Sequence, residues 1–479
     1  MAEKNLKQKT KQGIMWTFLE MFAKYGLHFL VGIIMARLLS PSDYGITALP
    51  AVFLSVARVF MNSGFSSAMI RKPELTEKDL STAFFYSLVI GILCYVLLYI
   101  GAPYIADFYE TPVLVPLIRV TALTFLWSPL VTPQDIILSR KLDFKTKAQI
   151  SVVTLIIGSI VGIILAYMGY GLWSLVAMNV VASFFHLLQL WIKVKWIPRE
   201  GWSKESFRYL WDYGNKMLGS ALLNKLYTNI VPIFVGKYYS PADLGIYNRA
   251  HGYAQLPSQN ITGVIQKVTF PVLSKLQGDK EALGRNYRRM IRTTAFIVFP
   301  LMMMLSALAR PLIIVMVTDK WEGSIILLQL MCFSMMWYPV HAMNLNLLQV
   351  SGRSDLFFRL EIIKKSYGLL MLFITLPIGL IAVVLGRWVT NVLTLFVNTY
   401  YTGKLIGVSF FKQMGDLLPI MGVSFAMWCL IHLSIYYISD YVVQILVGGV
   451  VGAVFYLGTS YLLKRPEIDD VIFMLKRRK

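Results

Sequence analysis

Cysteine is scarce and scattered. Cys94, Cys332 and Cys429 are the only three in 479 residues, and each lies in an apolar block. An odd number at wide separation gives neither a disulfide framework nor metal-ligand spacing. Histidine is also sparse, with His28, His186, His251, His341 and His432 spread one to a block. The chain lacks H-E-x-x-H, a Gly-rich loop ending in Lys-Ser or Lys-Thr, and G-x-S-x-G. These gaps argue against a zinc hydrolase, a nucleotide-driven pump and a serine hydrolase, and no cofactor or metal is expected. Charge is the next deficit. Only 15% of residues are Asp, Glu, Lys or Arg and 57% are hydrophobic, whereas soluble domains carry about 25% charged residues. The apolar sequence runs the whole length, so no soluble domain of about 100 residues has room to form.

What is present is apolar sequence in blocks long enough to cross a bilayer as helices, about 20 residues each. Fourteen are read, from 13–38 and 46–70 through 213–236 and 245–272 to 416–436 and 441–463. The expected fold is an all-α polytopic membrane protein. Its first block follows a basic start but is too long for a signal-peptide core and carries Glu20, Lys24 and His28, so it is expected to remain as the first span. Most Lys and Arg collect in the two tails and in connections after even-numbered spans, while the turns at 40–45, 107–110 and 167–170 contain none. Basic residues are retained on the cytoplasmic side, which puts both termini there. Topology thus accounts for the formal charge of +21 without nucleic acid, and the basic edges face membrane lipids.

A repeat organises these spans. Ser40, Pro41, Ser42, Asp43, Tyr44, Gly45, Ile46 recurs as Ser240, Pro241, Ala242, Asp243, Leu244, Gly245, Ile246, identical at five of seven positions. Ser before Pro, with Asp three residues on, suits a tight turn that caps a helix. A weaker match pairs Asp143, Phe144, Lys147 and Ile150 with Asp355, Leu356, Arg359 and Ile362. The expected organisation is a six-span lobe at 1–194, a cytoplasmic linker at 195–212, a second six-span lobe at 213–403, an appended helix pair at 404–463 and a basic tail at 464–479. Lobes with the same orientation, related by an axis along the membrane normal, can rock about a shared central site.

Charges inside the spans mark candidate functional positions. Glu20, Lys24, Arg58, Arg119, Lys216, Lys225 and Arg249 lie within them, with Arg37, Asp135 and Arg310 nearer the ends. An ionised side chain facing hydrocarbon costs roughly 2.5 to 3.5 kcal/mol on insertion scales, so most are expected to face protein or water. Glu20 and Lys24 are one turn apart and suit an ion pair. Arg58, Arg119, Lys225 and Arg249 have no carboxylate three or four residues away. A wet chamber walled by such cations is an anion site, because guanidinium forks match phosphate oxygens. Asn224 and Asn229 add polarity beside Lys225, and Tyr25 and Tyr227 offer faces on which sugars stack. Glu20 and Asp135 are the candidates for ion coupling.

The start K-x-x-x-K-Q-G-I-M-W at Lys7 to Trp16, the turn A-R-L-L-S-P-S-D-Y-G at Ala36 to Gly45 and the stretch I-L-S-R-K-L-D-F at Ile137 to Phe144 resemble bacterial polysaccharide exporters. These are Wzx-type flippases of the multidrug, oligosaccharidyl-lipid and polysaccharide exporter superfamily, and the resemblance is strongest to the colanic acid and lipopolysaccharide exporters. It implies a non-enzymatic, functionally monomeric protein of the bacterial inner membrane. Its cargo would be an undecaprenyl-pyrophosphate-linked oligosaccharide moved to the outer leaflet, with a glycan polymerase and assembly proteins as possible partners. The resemblance also implies functional cavity cations, whose candidate counterparts here are Lys24, Arg58 and Arg249. The other readings are an ion-coupled multidrug or metabolite exporter of the same fold, a membrane polymerase or ligase, and a non-transporting scaffold.

Overall fold

The computed structural model describes residues 2–62 and 64–476. The side chains of residues 2–12, 14, 18, 62, 216, 268, 354, 471 and 473–476, which include the first lysines of the amino-terminal motif and Lys216, lie outside the described residues. So do residues 477–479 of the basic tail. The described chain is helical throughout. Helix α1 (Ala2–Leu38) is followed by α2 (Pro41–Ala48), α3 (Ala51–Asn62) and α4 (Phe65–Arg71), which share the second apolar block. Next come α5 (Glu77–Phe108), α6 (Leu114–Ala122), α7 (Thr124–Arg140), α8 (Phe144–Tyr167), α9 (Leu172–Val194), α10 (Lys204–Tyr238) and α11 (Pro241–Ser274). The remainder is α12 (Lys280–Ala307), α13 (Ala309–Val317), α14 (Ser324–Met335), α15 (Tyr338–Val350), α16 (Ser354–Thr375), α17 (Leu380–Ile406), α18 (Phe410–Ile435), α19 (Tyr441–Leu462) and a terminal helix, α20 (Pro466–Lys476).

Breaks within blocks have local causes. Pro50 lacks the amide that would continue α2 into α3, and Gly64, at φ +71°, separates α3 from α4. Eleven helical stretches among the described residues are long and apolar enough to cross a membrane, against fourteen expected blocks. The three long helices outside that set are α10, α11 and α16. Charge and amide groups explain this: α10 carries Asp212, Lys225 and Lys237 with Asn224 and Asn229, α11 carries Arg249 and Lys267, and α16 carries Arg359, Glu361, Lys364 and Lys365. The protein is an all-α polytopic membrane protein.

Contacts divide the chain into two compact units, Met1–Gly245 and Ile246–Lys479. In the first, α8 packs on α1 and α9, α7 packs on α5 and α9, and α10 lies against α3, α4 and α5. Lipid tails are as apolar as leucine, so helices in a membrane hold together by close packing and polar contacts. Three such contacts tie α7, α8 and α9. Trp127 Nε1 donates to Ser183 Oγ at 2.7 Å, Trp191 Nε1 to the Leu130 carbonyl at 3.2 Å, and Gln189 Nε2 to Thr154 Oγ1 at 3.0 Å. In the second unit α12 packs on α18, α14 and α15. A buried polar chain links α12, α18 and α15: Tyr287 Oη donates to Gln413 Oε1 at 3.3 Å, and Gln413 Nε2 to Asn344 Oδ1 at 3.4 Å.

Candidate functional site

Helical periodicity builds a polar face on each of three helices. Glu20, Lys24 and His28 repeat every four residues on α1; Lys147, Ser151 and Thr154 share a face of α8; Asn179, Ser183 and His186 share one of α9. These faces, with Asp135 of α7, enclose a cavity of about 600 Å³ in the first unit. Two ion pairs lie in its wall. Lys24 Nζ reaches Glu20 Oε1 at 2.6 Å within α1, and Lys147 Nζ of α8 reaches Asp135 Oδ1 of α7 at 3.3 Å. Lys147 also donates to Ser139 Oγ at 2.9 Å. Two carboxylates, two ammonium groups and two imidazoles therefore share one cavity in a helix bundle. Such a set offers charged donors and acceptors to a small ion, with each carboxylate held beside a lysine.

This cavity gathers Glu20, Lys24 and Asp135 from the residues expected by sequence. Lys147, His28 and His186 join them, none of which sequence reasoning had assigned a role. A signal for Lys147 existed: it belongs to the weaker repeat match, and Phe144 and Ile150 of that match also line the cavity. Arg58, Arg119, Lys225, Tyr25, Asn224, Tyr227 and Asn229 are not among its lining residues. Arg119 stacks on Tyr99 of α5, with 4.1 Å from guanidinium to ring centroid, and its Nε lies 3.4 Å from the Tyr99 carbonyl. Arg58 and Lys225 are exposed on α3 and α10, which pack together. Among the described residues no carboxylate pairs with either. Asn224 is exposed beside Lys225, Asn229 Nδ2 donates to the Lys225 carbonyl at 2.8 Å, Tyr25 is half exposed and Tyr227 partly buried. In the second unit the Arg249 guanidinium lies 4.5 Å from the ring of fully buried Trp321 and 5.7 Å from that of Tyr253.

The repeated turns form a second feature. Ser40 accepts from the Asp43 amide at 3.2 Å, and the Asp43 carboxylate accepts from the Ser40 amide at 2.9 Å. Ser240 and Asp243 make the same reciprocal box, at 3.1 Å in both directions. The two copies meet. A Cβ on Gly45 would lie 1.6 Å from the Pro241 carbonyl oxygen, and one on Gly245 would lie 2.0 Å from that of Pro41. Glycine is required at both positions because backbone occupies the side-chain space. Nearby, Lys237 Nζ bonds Glu110 Oε1 at 2.8 Å, and that hydrogen bond holds the Glu110 carboxyl below the usual carboxylate range.

Residues 34–326 match the family model described as polysaccharide biosynthesis protein. Over 97% of its length the chain is 23% identical to the succinoglycan biosynthesis transport protein ExoT of Rhizobium meliloti, covering 95% of that protein. It is 23% identical to the lipopolysaccharide biosynthesis protein WzxC of Escherichia coli, over 85% of this chain and 84% of that one. Identity to the teichuronic acid biosynthesis protein TuaB of Bacillus subtilis is 27% over 63% of each chain, so that match spans less than two thirds of the relative. Among solved structures, the lipid II flippase MurJ in an inward closed conformation superposes with a TM-score of 0.73 at 18% identity, covering 94% of this chain and all of that one. An inward-facing multidrug resistance MATE family transporter of the MOP superfamily gives a TM-score of 0.60 at 16% identity, over 80% and 95% of the two chains. The fold is therefore that of MOP-superfamily transporters. With many helices long and apolar enough to cross a membrane, the chain belongs to the polysaccharide biosynthesis protein family.

Proposed function

We propose that the chain flips an undecaprenyl-pyrophosphate-linked oligosaccharide from the cytoplasmic to the outer leaflet by alternating access, with fourteen spans, both termini in the cytoplasm and two six-helix halves followed by a helix pair. The observation that carries the reading is the pair of exposed cations, Arg58 and Lys225, on packed helices and without carboxylate partners among the described residues. In a bilayer such groups are retained where water and an anionic ligand reach them. They receive the pyrophosphate, while Asn224, Asn229, Tyr25 and Tyr227 contact the glycan. The likeness in fold to a lipid II flippase supports a lipid-linked cargo. Ion coupling falls to the cavity of α1, α7, α8 and α9, whose two carboxylates are Glu20 and Asp135. The capped turns act as the outer gate, closing the path on the non-cytoplasmic side while they are together.

A multidrug exporter of the same fold is favoured by the two carboxylates in the cavity. Each carboxylate, however, has its own lysine at 2.6 or 3.3 Å, so the cavity offers no net negative charge to a cationic drug. Reconstitution into liposomes with a fluorescent lipid-linked oligosaccharide tests the reading. Flipping should fall at least tenfold in Arg58→Gln/Lys225→Gln and in Asp135→Asn, with no export of cationic dyes. Unchanged flipping in the double variant would refute the anion site, and dye export by the wild type would support the second reading.

A further inference from the structure

The first turns of α12 carry Arg285, Arg288, Arg289 and Arg292, whose spacing sets four guanidinium groups on one face. They border a depression of about 410 Å³ whose other wall is Pro466, Asp469 and Asp470 of α20. The terminal helix is anchored there through carboxylates. Arg289 Nε bonds both oxygens of Asp470 at 2.9 and 3.0 Å, the Thr293 hydroxyl donates to Asp470 at 2.9 Å, and Arg292 Nε meets Glu467 at 2.7 Å. Arg288 is taken by Asp416 of α18 at 2.6 and 2.7 Å. Burial is lopsided: Glu467 and Asp470 are 2% and 8% exposed, whereas the Arg285 and Arg289 side chains are 69% and 65% exposed. Glu467 and Asp470 point inward, whereas Asp469 is exposed on the rim beside the open guanidinium groups of Arg285 and Arg289.

We propose that this arginine face binds the phosphate headgroup of anionic membrane lipids, and that α20 is a latch whose carboxylates hold the same guanidinium groups until a headgroup replaces them. Location and chemistry agree. The span Lys280–Ala307 has 28 residues, more than the hydrocarbon needs, so its arginine-bearing end lies at headgroup depth. Phosphate oxygens match the guanidinium fork as carboxylate oxygens do, and anionic lipid is concentrated at that depth. Arg285 gives the incoming phosphate a first contact without disturbing α20, because its own partner is Glu281 of the same helix at 3.3 Å. As the headgroup moves inward it competes with Asp470 for Arg289, and α20 is released. The inference concerns the membrane surface and does not depend on the identity of the cargo.

Amide hydrogen exchange of residues 466–476 in the full chain reads the latch directly, in nanodiscs of phosphatidylcholine alone or with phosphatidylglycerol added. Exchange is expected to rise several-fold with phosphatidylglycerol. Arg285→Gln, which leaves every anchor of α20 in place, should keep α20 protected in phosphatidylcholine and blunt the response to phosphatidylglycerol. Glu467→Gln/Asp470→Asn should release α20 in phosphatidylcholine alone, with protection of α12 beyond Thr293 reporting that the variant is folded. Inorganic pyrophosphate added to phosphatidylcholine nanodiscs separates the sources. Release by pyrophosphate but not by phosphatidylglycerol would overturn the lipid as ligand, and equal release of wild type and Arg285→Gln by phosphatidylglycerol would overturn the site. Unchanged exchange in every lipid would overturn the latch.

Discussion

Replacing Gly45 by alanine probes the meeting of the two turns at one methyl group. That carbon would sit 1.6 Å from the Pro241 carbonyl oxygen, where real contacts begin near 3.0 Å, so the turns must part by more than an ångström. Overpacking of this kind costs about 1 to 3 kcal/mol, and a rigid backbone partner places it in the upper part of that range. Only the conformer with the turns together bears the cost. The helix preference for alanine, up to about 1 kcal/mol over glycine, is felt in both conformers and cancels. A penalty of about 2 to 3 kcal/mol moves the equilibrium roughly 30- to 150-fold toward separated turns. Spin labels at Ser42→Cys and Ala242→Cys, in a chain whose Cys94, Cys332 and Cys429 are replaced by alanine, report the separation by pulsed electron resonance. Gly45→Ala should shift the distribution to longer distances and slow transport, and Gly245→Ala should do the same. Gly26→Ala is the control, since a Cβ there meets nothing within 4 Å. An unchanged distribution and an unchanged transport rate in Gly45→Ala would refute the gate.

Two further outcomes follow from the ion pairs and stacks. Burial pushes the Asp470 carboxyl up, but hydrogen bonds from Arg289 and Thr293 outweigh it and hold the group below its ordinary value. A depressed carboxyl stabilises the docked α20 above its unfolded pKa of about 3.9 and loses that contribution as pH falls through the lower folded value. Proteolysis between α19 and α20 should therefore stay constant from neutral pH to about pH 5 and increase only below about pH 4; release near pH 6 would contradict the assignment. Arg119→Gln removes a cation resting on Tyr99 and should lower thermal stability by about 0.5 to 1 kcal/mol while leaving transport unchanged. A transport defect without a stability loss would return Arg119 to the substrate path.

What the sequence made legible is local chemistry. Ser-Pro-x-Asp-x-Gly announces a capped turn because the Ser and Asp side chains satisfy amides three residues away, and both copies form that box. The spacing of Glu20 and Lys24 announces a pair for the same reason. The partnership of Asp135 with Lys147 was not legible, because its members sit on consecutive helices that a reversal of the chain brings together, and no periodicity spans that turn. His186 was equally hidden: on its own helix it looks like any isolated polar group, and only α1 and α8 packed alongside α9 set it near charges. Arg119 had a hidden neighbour as well. Its lack of a nearby carboxylate in sequence suggested an open cation, but the aromatic face of Tyr99, on the preceding helix, is a partner that carries no charge to look for. Blocks α10, α11 and α16 were recognised as apolar, yet their charges and amides keep them from qualifying as spans on composition alone.

The two pairs in the cavity differ in what motion does to them. Glu20 and Lys24 share one helix, so any rigid movement of α1 carries both and leaves their 2.6 Å contact intact. Asp135 and Lys147 belong to α7 and α8, and their contact is already long at 3.3 Å. A small separation of those helices breaks the Asp135–Lys147 contact, whereas no rigid movement of α1 breaks that of Glu20 with Lys24. In the proposed ion coupling, Asp135 is the carboxylate whose contact changes with the arrangement of the helices. Asp135→Asn should consequently abolish the dependence of transport on that gradient, and Glu20→Gln should leave the dependence in place while weakening the cavity wall.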